Sequence, residues 1–351
     1  MTDEQGFTYK DSGVDVAAGN EAVRLLRQRL KSTDNPLVLS GIGGFGGTMR
    51  MPPLKDAVLV SATDGVGTKV LLARELARYD TVGIDLVAMS ANDVSVTGAV
   101  PFFFLDYIVA GKVVPEVVAD LVAGVDEGCL RAECVLLGGE TAEHPGHFAR
   151  DDDFDMAGFC VGIASRDELW RTSSVTAGDA LVGITSSGLH SNGFSLVRAL
   201  LTKHDIGLRD AFPPDDALTV GEVLLEPTTI YSPVLHDLGH AGVVHSAAHI
   251  TGGGFPENVN RALPDELAAV VDLAAWQPPA VFAWLHGLGV ARDEMLSTFN
   301  CGLGMVLVVP ADAVSRALDV IAAKGRAATV VGEVVERKDG QQVRYRGELA
   351  L

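Results

Sequence analysis

Two glycine-rich segments near the N-terminus carry residue types that bind a polyphosphate. The first has five glycines in seven residues: Gly41-Ile42-Gly43-Gly44-Phe45-Gly46-Gly47. Such a run leaves backbone N–H groups unobstructed, so the loop can curl around an anion. The second, Thr63-Asp64-Gly65-Val66-Gly67-Thr68-Lys69, adds a carboxylate and a cation. Together these groups predict a site for a nucleoside triphosphate with Mg²⁺.

Neither of the two standard nucleotide motifs explains the first segment. Gly41-x-Gly43-x-x-Gly46 matches the dinucleotide fingerprint, but that fingerprint requires a helix to begin at the glycines. Pro52 and Pro53 follow instead, and then an extended segment. The Gly-Lys-Ser/Thr end of a P-loop is also absent. A nicotinamide dehydrogenase is therefore the least favoured alternative.

A predicted helix adds further polar groups. Asp85, Met89 and Asn92 share one face of this helix, and Asp93 adjoins that face. Helices avoid a buried Asn-Asp pair unless something satisfies it, which a metal or a phosphate would do. A solvated or capped pair is the alternative interpretation.

Three loops complete the candidate site. Gly138-Gly139-Glu140-Thr141 follows a strand end, where α/β proteins often bind ligands. His190-Ser191-Asn192-Gly193 and Thr251-Gly252-Gly253-Gly254 each precede a predicted helix, whose N–H groups attract anions. Plain turns and helix caps remain alternatives for each loop.

Length and composition restrict the class of protein. The 351 residues suffice for about two domains, and 48% hydrophobic residues can form sizeable cores. A net charge of −19 without a basic stripe argues against nucleic-acid binding. We expect a cytoplasmic protein without membrane contact, because no apolar run approaches ~20 residues and the N-terminus lacks a signal-peptide core. The four cysteines form no C-x-x-C pair, so disulfides are not expected.

The hydrophobic pattern divides the chain into an arm and two mixed α/β domains. Residues 1–20 are predicted as an extended arm, 21–174 as the N-terminal ATP-binding domain and 175–351 as the C-terminal domain. The first helix is expected at residues 21–30. The acidic stretch 205–218 reads as an irregular surface loop, and a final hairpin is expected to turn at Asp339-Gly340.

The residues of these motifs, and the order of the motifs along the chain, resemble the phosphoribosylformylglycinamidine cyclo-ligase family, also called aminoimidazole ribonucleotide synthetases. The resemblance covers nearly the whole chain. Besides the glycine-rich segments and loops above, it rests on Tyr9-Lys10-Asp11-Ser12-Gly13-Val14-Asp15, Gly83-Ile84-Asp85-Leu86-Val87-Ala88-Met89, Phe103-Phe104-Leu105-Asp106-Tyr107, His249-Ile250 and Thr298-Phe299-Asn300-Cys301-Gly302.

The resemblance implies an α/β fold of the α+β type. The N-terminal domain would pair across a homodimer to form a shared β-barrel, and the C-terminal domain would be a sheet covered by helices. The arm would lie over the active-site cleft. The reaction implied is the ATP-dependent cyclisation of formylglycinamidine ribonucleotide to aminoimidazole ribonucleotide, ADP and phosphate, in de novo purine biosynthesis. It would proceed through phosphorylation of the formyl oxygen to an iminophosphate and ring closure by the amidine nitrogen.

The resemblance also implies roles for individual residues. Asp64, Asp93 and Glu140 would bind Mg²⁺, and Lys69, His190 and Asp64 would act in catalysis. The implied ATP-binding residues are Lys10, Gly43, Gly44, Phe45, Gly46, Gly47, Asp64, Lys69, Asn92, Asp93, Gly139 and Glu140. The implied substrate-binding residues are His190, Ser191, Asn192, Thr251, Gly252, Gly253 and Gly254.

Other functions stay open at this point. Thiamine-phosphate kinase shares the architecture implied above, but it lacks the long series of matching sequence motifs. Selenophosphate synthetase would bring a reactive cysteine near the first glycine loop, where this chain has none. A nucleotide-binding regulator without catalysis is the third alternative.

Overall fold

The computed structural model describes residues 10–40, 43–338 and 340–351. Gly41 of the predicted glycine loop and Asp339 of the predicted final turn lie outside these ranges. The backbone of Lys10 begins a 3-10 turn, Lys10–Ser12. The contact predicted for the Lys10 side chain lies outside the described part of the chain.

The N-terminal unit is a four-stranded sheet with helices on one face. Its helices are α1 (Val16–Arg29), α2 (Val70–Leu76), α3 (Val82–Ser95) and α4 (Pro115–Arg131). Its strands are β1 (Ala57–Gly65), β2 (Val100–Ala110), β3 (Val135–Glu143) and β4 (Phe154–Ser165). They are ordered β1-β4-β2-β3, with β2 and β3 parallel and the other pairs antiparallel. β1 and β3 are therefore the edge strands.

Helix α1 begins before the predicted residue 21. The Asp15 carboxylate caps it by accepting hydrogen bonds from Ala17 N and Ala18 N. The helix continues through Gly19 because α1 packs against α4, and this packing outweighs the low helix propensity of one glycine. The predicted arm is therefore helical over its last residues.

The other face of the N-terminal sheet leaves three large apolar or aromatic side chains exposed among the described residues. Side chains alternate between the two faces of a strand, and on this face Leu59 is 66% exposed. Tyr107 and Phe159 are each 41% exposed on neighbouring strands. We call these three residues the open face. The sheet does not close into a barrel within the described residues, so a barrel shared by two chains stays a prediction.

The C-terminal unit is a sheet covered by helices. Its strands are β5 (Ala180–Thr185), β6 (Ala211–Phe212), β7 (Asp215–Thr219), β8 (Ser246–His249), β9 (Leu267–Asp272), β10 (Leu303–Val309), β11 (Ala328–Glu336) and β12 (Val343–Arg346). The main sheet has the order β12-β9-β11-β5-β10-β8. Its helices are α5 (Phe194–Lys203), α6 (Val220–Leu224), α7 (Ser232–Ala241), α8 (Gly254–Val259), α9 (Ala280–Gly287), α10 (Arg292–Thr298) and α11 (Val314–Ala323).

The acidic stretch 205–218 is more ordered than predicted. β6 and β7 pair as a short antiparallel hairpin, and Thr219 then caps α6. Thr219 Oγ1 accepts from Glu222 N at 3.2 Å, while Thr219 N donates to Glu222 Oε2 at 2.7 Å. This reciprocal capping box ends the hairpin and starts the helix.

Two expectations from composition can be compared with the structure. Cys129, Cys134, Cys160 and Cys301 are all buried and free, as expected for a chain without disulfides. Among the described residues, none of the helices combines the length and apolar character that a membrane crossing requires.

A candidate active site in the interdomain cleft

Two carboxylates predicted as magnesium ligands, Asp64 and Asp93, lie together between the two units, at what we call the interdomain cleft. Asp64 is at the end of β1, and Asp93 is on α3. His249 Nδ1, at the end of β8, donates to Asp93 Oδ1 at 2.8 Å. Asn92 Nδ2 lies 3.4 Å from His249 Nε2, the other ring nitrogen. His249 of the C-terminal unit thus orients the Asp93 carboxylate of the N-terminal unit.

The charges of this pair favour a bound cation. Burial is the main cause that raises the pKa of Asp64, and the N–H of Gly65, 2.7 Å from Oδ1, opposes it. The negative charge of Asp93 raises this pKa further. A divalent cation would relieve the repulsion, and Mg²⁺ needs only one or two carboxylates because it retains waters and takes phosphate oxygens. The described residues contain no cluster of three or more metal-ligating side chains.

The opposite wall of the cleft comes from the C-terminal unit. Ser191 Oγ donates to Val66 O at 2.8 Å, which joins the 190–193 segment to the turn after Asp64. Gly252 N donates to Asn192 Oδ1 at 2.9 Å, which joins the 190–193 and 251–254 segments to each other. The two segments predicted to bind substrate therefore lie side by side at the cleft. The N–H of Gly252, however, already has a partner within the protein.

Lys69 and His190 do not line the surface of the cleft. Lys69 has no exposed side-chain surface and forms an ion pair with Asp85 at 2.8 Å. His190 is 1% exposed, and its Nε2 accepts from Thr229 N at 3.4 Å. Burial, followed by the nearby His249, lowers the pKa of His190, so its imidazole is neutral. Both side chains are buried behind the surface of the cleft, and the catalytic and binding roles predicted for Lys69 and His190 stay predictions.

Asn92 is also satisfied without a ligand. Its side-chain amide donates to Thr229 O at 2.9 Å, and its Oδ1 accepts from Tyr231 N at 2.8 Å. The buried polar pair therefore separates: Asn92 binds the backbone of the other domain, and Asp93, with a side chain 46% exposed, faces the cleft. These backbone groups satisfy the Asn92 amide in this structure, and its role at a metal or phosphate stays a prediction.

The glycine loop and Glu140 lie away from the cleft, along edge strand β3. The loop is closed by a bridge between Val38 and Met49, and Gly47 packs so tightly on Leu137 that a Cβ would collide with it. Phe45, near the tip of the loop, is fully exposed. The loop therefore adjoins the strand that carries Gly139 and Glu140.

The sheet register separates Glu140 from Asp64 within one chain. Asp64 pairs with Gly158, Gly158 with Asp106, and Asp106 with Gly139. Three strand spacings give a separation of about 14 Å, too far for one ion to bridge. Glu140 pairs with Tyr107 at the β3 edge of the sheet. One chain does not bring the three predicted magnesium ligands together.

A cavity of about 440 Å³ lies between α1 and β3. Gly139, Glu140 and Asp106 line one side of it, and Leu26 of α1 lines another. Asp106 is 8% exposed and forms no ion pair among the described residues. Burial therefore raises the pKa of Asp106 to about 7, although its own backbone N–H acts in the opposite direction.

Replacing Asp106 with asparagine should stabilise the fold at pH 8. A native pKa of about 7, against about 3.8 in the unfolded chain, makes the ionised form costly above pH 7. The corresponding free energy is about 4 kcal/mol. Urea unfolding should show most of this gain at pH 8 and less than half of it at pH 5, where the native carboxyl is protonated. An equal gain at both pH values would contradict the buried, uncompensated carboxyl.

His249 is the site residue that sequence reasoning did not select. It occurs in the segment that carries the family resemblance, directly before the 251–254 turn. Its partner, Asp93, is 156 residues earlier in the chain. The sequence feature that marks His249 is a histidine at the end of a strand, before a glycine-rich turn. This feature is too common to identify a site residue by itself.

The structure is that of a two-domain α/β protein with a cleft between its domains, at which the candidate site residues lie. The chain belongs to the family of AIR synthase related proteins. Residues 47–164 match the N-terminal domain of that family, and residues 176–343 match its C-terminal domain.

Several solved structures share the fold. Thiamine-monophosphate kinase from Stenotrophomonas maltophilia K279a has a TM-score of 0.66 at 18% identity, over 94% of this chain and 97% of that one. The hydrogenase maturation protein HypE in complex with ATP has a TM-score of 0.65 at 17% identity, over 95% and 92%. PurLQS from Thermotoga maritima has a TM-score of 0.56 at 16% identity, over 94% of this chain and 47% of that one.

Proposed function

We propose that the protein is an ATP-dependent cyclo-ligase that converts formylglycinamidine ribonucleotide into aminoimidazole ribonucleotide, ADP and phosphate, in cytoplasmic purine biosynthesis. The observation that carries this proposal is the convergence of Asp64 and Asp93 with the 190–193 and 251–254 segments in one cleft. A cleft between two domains suits two anionic substrates, because each domain can hold one of them. The sequence resemblance favours this reaction over a kinase.

Family membership and the ATP complex of HypE support ATP as one substrate. Asp64 and Asp93 would hold Mg²⁺, which would neutralise charge on the phosphoryl groups. His249 would keep the Asp93 carboxylate in place by its hydrogen bond to Oδ1. Asn192 and the 251–254 turn would position the second substrate.

The proposed chemistry explains why such positioning is needed. An amide oxygen is a poor leaving group, so the ring cannot close readily by its loss. Transfer of the γ-phosphoryl group to the formyl oxygen forms an iminophosphate, and its carbon then accepts the amidine nitrogen as phosphate leaves. The chain must hold the two reactants in line and offset the charge that develops.

We also propose a homodimer formed through the open face. Leu59, Tyr107 and Phe159 expose large side chains on one face of the sheet. Tyr107 and Phe159 are diagonal neighbours on adjacent strands, and exposed apolar neighbours of this kind suit an interaction site. A second copy placed there would cover the face, and its β3 edge would supply a Glu140 that one chain keeps away from Asp64.

A turnover assay tests the proposed function. Purified protein with formylglycinamidine ribonucleotide, ATP and Mg²⁺ should release ADP and aminoimidazole ribonucleotide in equal amounts, as followed by mass spectrometry. ADP release at background would refute the proposal. A phosphorylated product that retains its oxygen, with thiamine monophosphate as a second substrate tested, would indicate a kinase. Tight ATP binding without turnover of either substrate would indicate a regulator.

A further inference from the structure

Lys69 forms a buried bridge between the two domains. Its ammonium Nζ lies 2.8 Å and 3.0 Å from the two carboxylate oxygens of Asp85. It also donates to Glu226 O at 2.8 Å and to His190 O at 3.2 Å. An ammonium has three N–H donors, and these three partners use all of them. We call Lys69, Asp85 and the two carbonyl groups the Lys69 bridge.

The bridge holds two separate segments of the C-terminal unit against the N-terminal unit. His190 lies in the 190–193 segment of the cleft, and Glu226 begins the 226–231 segment. Asp85 Oδ1 also accepts from Thr228 N at 2.8 Å and from Thr228 Oγ1 at 2.6 Å. The 226–231 segment is thus attached to α3 through Asp85, and further along α3 Asn92 holds its other end.

The His190 contact bears directly on the geometry of the cleft. His190 has a φ of +62°, in the left-handed region that non-glycine residues rarely adopt. Such a conformation persists only where its surroundings hold it in place. Lys69 Nζ holds the carbonyl of this residue, and the next two residues, Ser191 and Asn192, make the contacts that join the cleft walls. Lys69 itself lies five positions after Asp64.

We propose that Lys69 is a positioning residue that sets the distance between Asp64, at the end of β1, and the 190–193 segment. This role rests on the proposed function, in which the first group holds ATP and the second faces the acceptor substrate. A buried ion pair adds little net stability compared with apolar side chains. The Lys69–Asp85 pair instead fixes positions, since the Lys69 ammonium binds backbone carbonyl groups from two segments of the opposite domain.

The double variant Lys69→Met/Asp85→Asn tests this role. Lys69→Met alone would leave the Asp85 charge buried without compensation and could prevent folding. The double variant removes both charges and keeps an oxygen at residue 85 for Thr228. We expect kcat to fall about 100-fold, because small misplacement of reacting groups has effects of this size. The KM for ATP and the dissociation constant of a non-hydrolysable ATP analogue should change less than about threefold, because Lys69 touches no phosphate.

A second measurement does not depend on the reaction. Hydrogen exchange followed by mass spectrometry should show about tenfold faster exchange at residues 186–193 and 226–231 in the double variant. The control variant Arg78→Met/Asp80→Asn breaks an exposed pair at 3.7 Å by the same chemical change. It should leave kcat and exchange in both segments at native values.

The outcomes separate the two proposals. Unchanged exchange in both segments, or kcat within threefold of the native value, would overturn the positioning role. A rise of tenfold or more in the dissociation constant of the ATP analogue would also overturn it, since Lys69 would then bind phosphate. Faster exchange in both segments, in a protein without cyclo-ligase turnover, would support the bridge while refuting the proposed function.

Discussion

Asp64→Asn is expected to lower kcat by about 10³-fold or more while the protein stays folded, because a ligand to the metal and its phosphates would be lost. The asparagine retains the size of the side chain and an oxygen that can accept the Gly65 N–H, which lies 2.7 Å from Oδ1. Steady-state kinetics at saturating ATP and Mg²⁺ would measure the loss. The affinity for Mg²⁺ should fall together with kcat.

The same variant should gain stability at neutral pH. Burial and the charge of Asp93 raise the pKa of Asp64, so its ionised form destabilises the native state. This cost is present above the native pKa and disappears as the pH falls towards the ordinary aspartate value. Denaturant unfolding at pH 8 and pH 4 should therefore show a gain at the higher pH only. Loss of activity with a gain in stability is typical of a residue retained for function.

Asp80→Asn is the matched control for this prediction. Asp80 is an exposed aspartate whose contact with Arg78 is long, at 3.7 Å. Exposed pairs of this kind contribute little, so kcat and stability should stay near native values. If Asp64→Asn behaved like Asp80→Asn in kinetics, Asp64 would be an ordinary residue at the end of β1, and the catalytic interpretation of the cleft would be wrong.

The local sequence pattern predicted the helices and turns that carry the site residues better than it predicted the contacts between those residues. The turn predicted at Asp64, the helical face of Asp85 and Asn92, and the glycine-rich turn at 251–254 all follow from spacing and residue type. These features depend on neighbours within a few residues, and the structure contains the helical face and the 251–254 turn. The turn predicted at Asp64 was wrong, because β1 continues to Gly65 and Asp64 pairs with Gly158 of β4. The start of α1 was wrong because the cap by Asp15 and packing on α4 outweigh Gly19.

The partners of the buried polar groups could not be predicted in the same way. Asn92 and Lys69 each looked like a ligand to phosphate or metal, since a buried polar side chain needs a partner. The structure supplies partners for both from backbone groups 121 to 157 residues away, and for Lys69 also from the Asp85 carboxylate. One sequence without tertiary contacts cannot distinguish a bound phosphate from a carbonyl group of another domain. The Asp93 side chain remains 46% exposed at the cleft, and its role as a metal ligand stays a prediction.

Phe159→Lys is expected to convert the proposed dimer into monomers. Phe159 is 41% exposed on the open face, diagonally beside Tyr107 of the neighbouring strand. A symmetric dimer contains two copies of the change, and each copy loses about 2 kcal/mol of apolar burial. The dimer dissociation constant should therefore rise by about 10³-fold or more, and the buried ammonium increases this effect. Sedimentation equilibrium across a range of concentrations would measure the change.

Val330→Lys is the control, because Val330 is also 41% exposed but lies on β11 of the other domain. It should leave the dimer intact. Activity should follow the dimer, since one chain keeps the glycine loop and Glu140 at the β3 edge, about 14 Å across the sheet from Asp64. Phe159→Lys should then lose activity on dilution, whereas Val330→Lys should not. A native chain that is already monomeric at micromolar concentration, or a Phe159→Lys dimer of native affinity, would refute an interface at the open face.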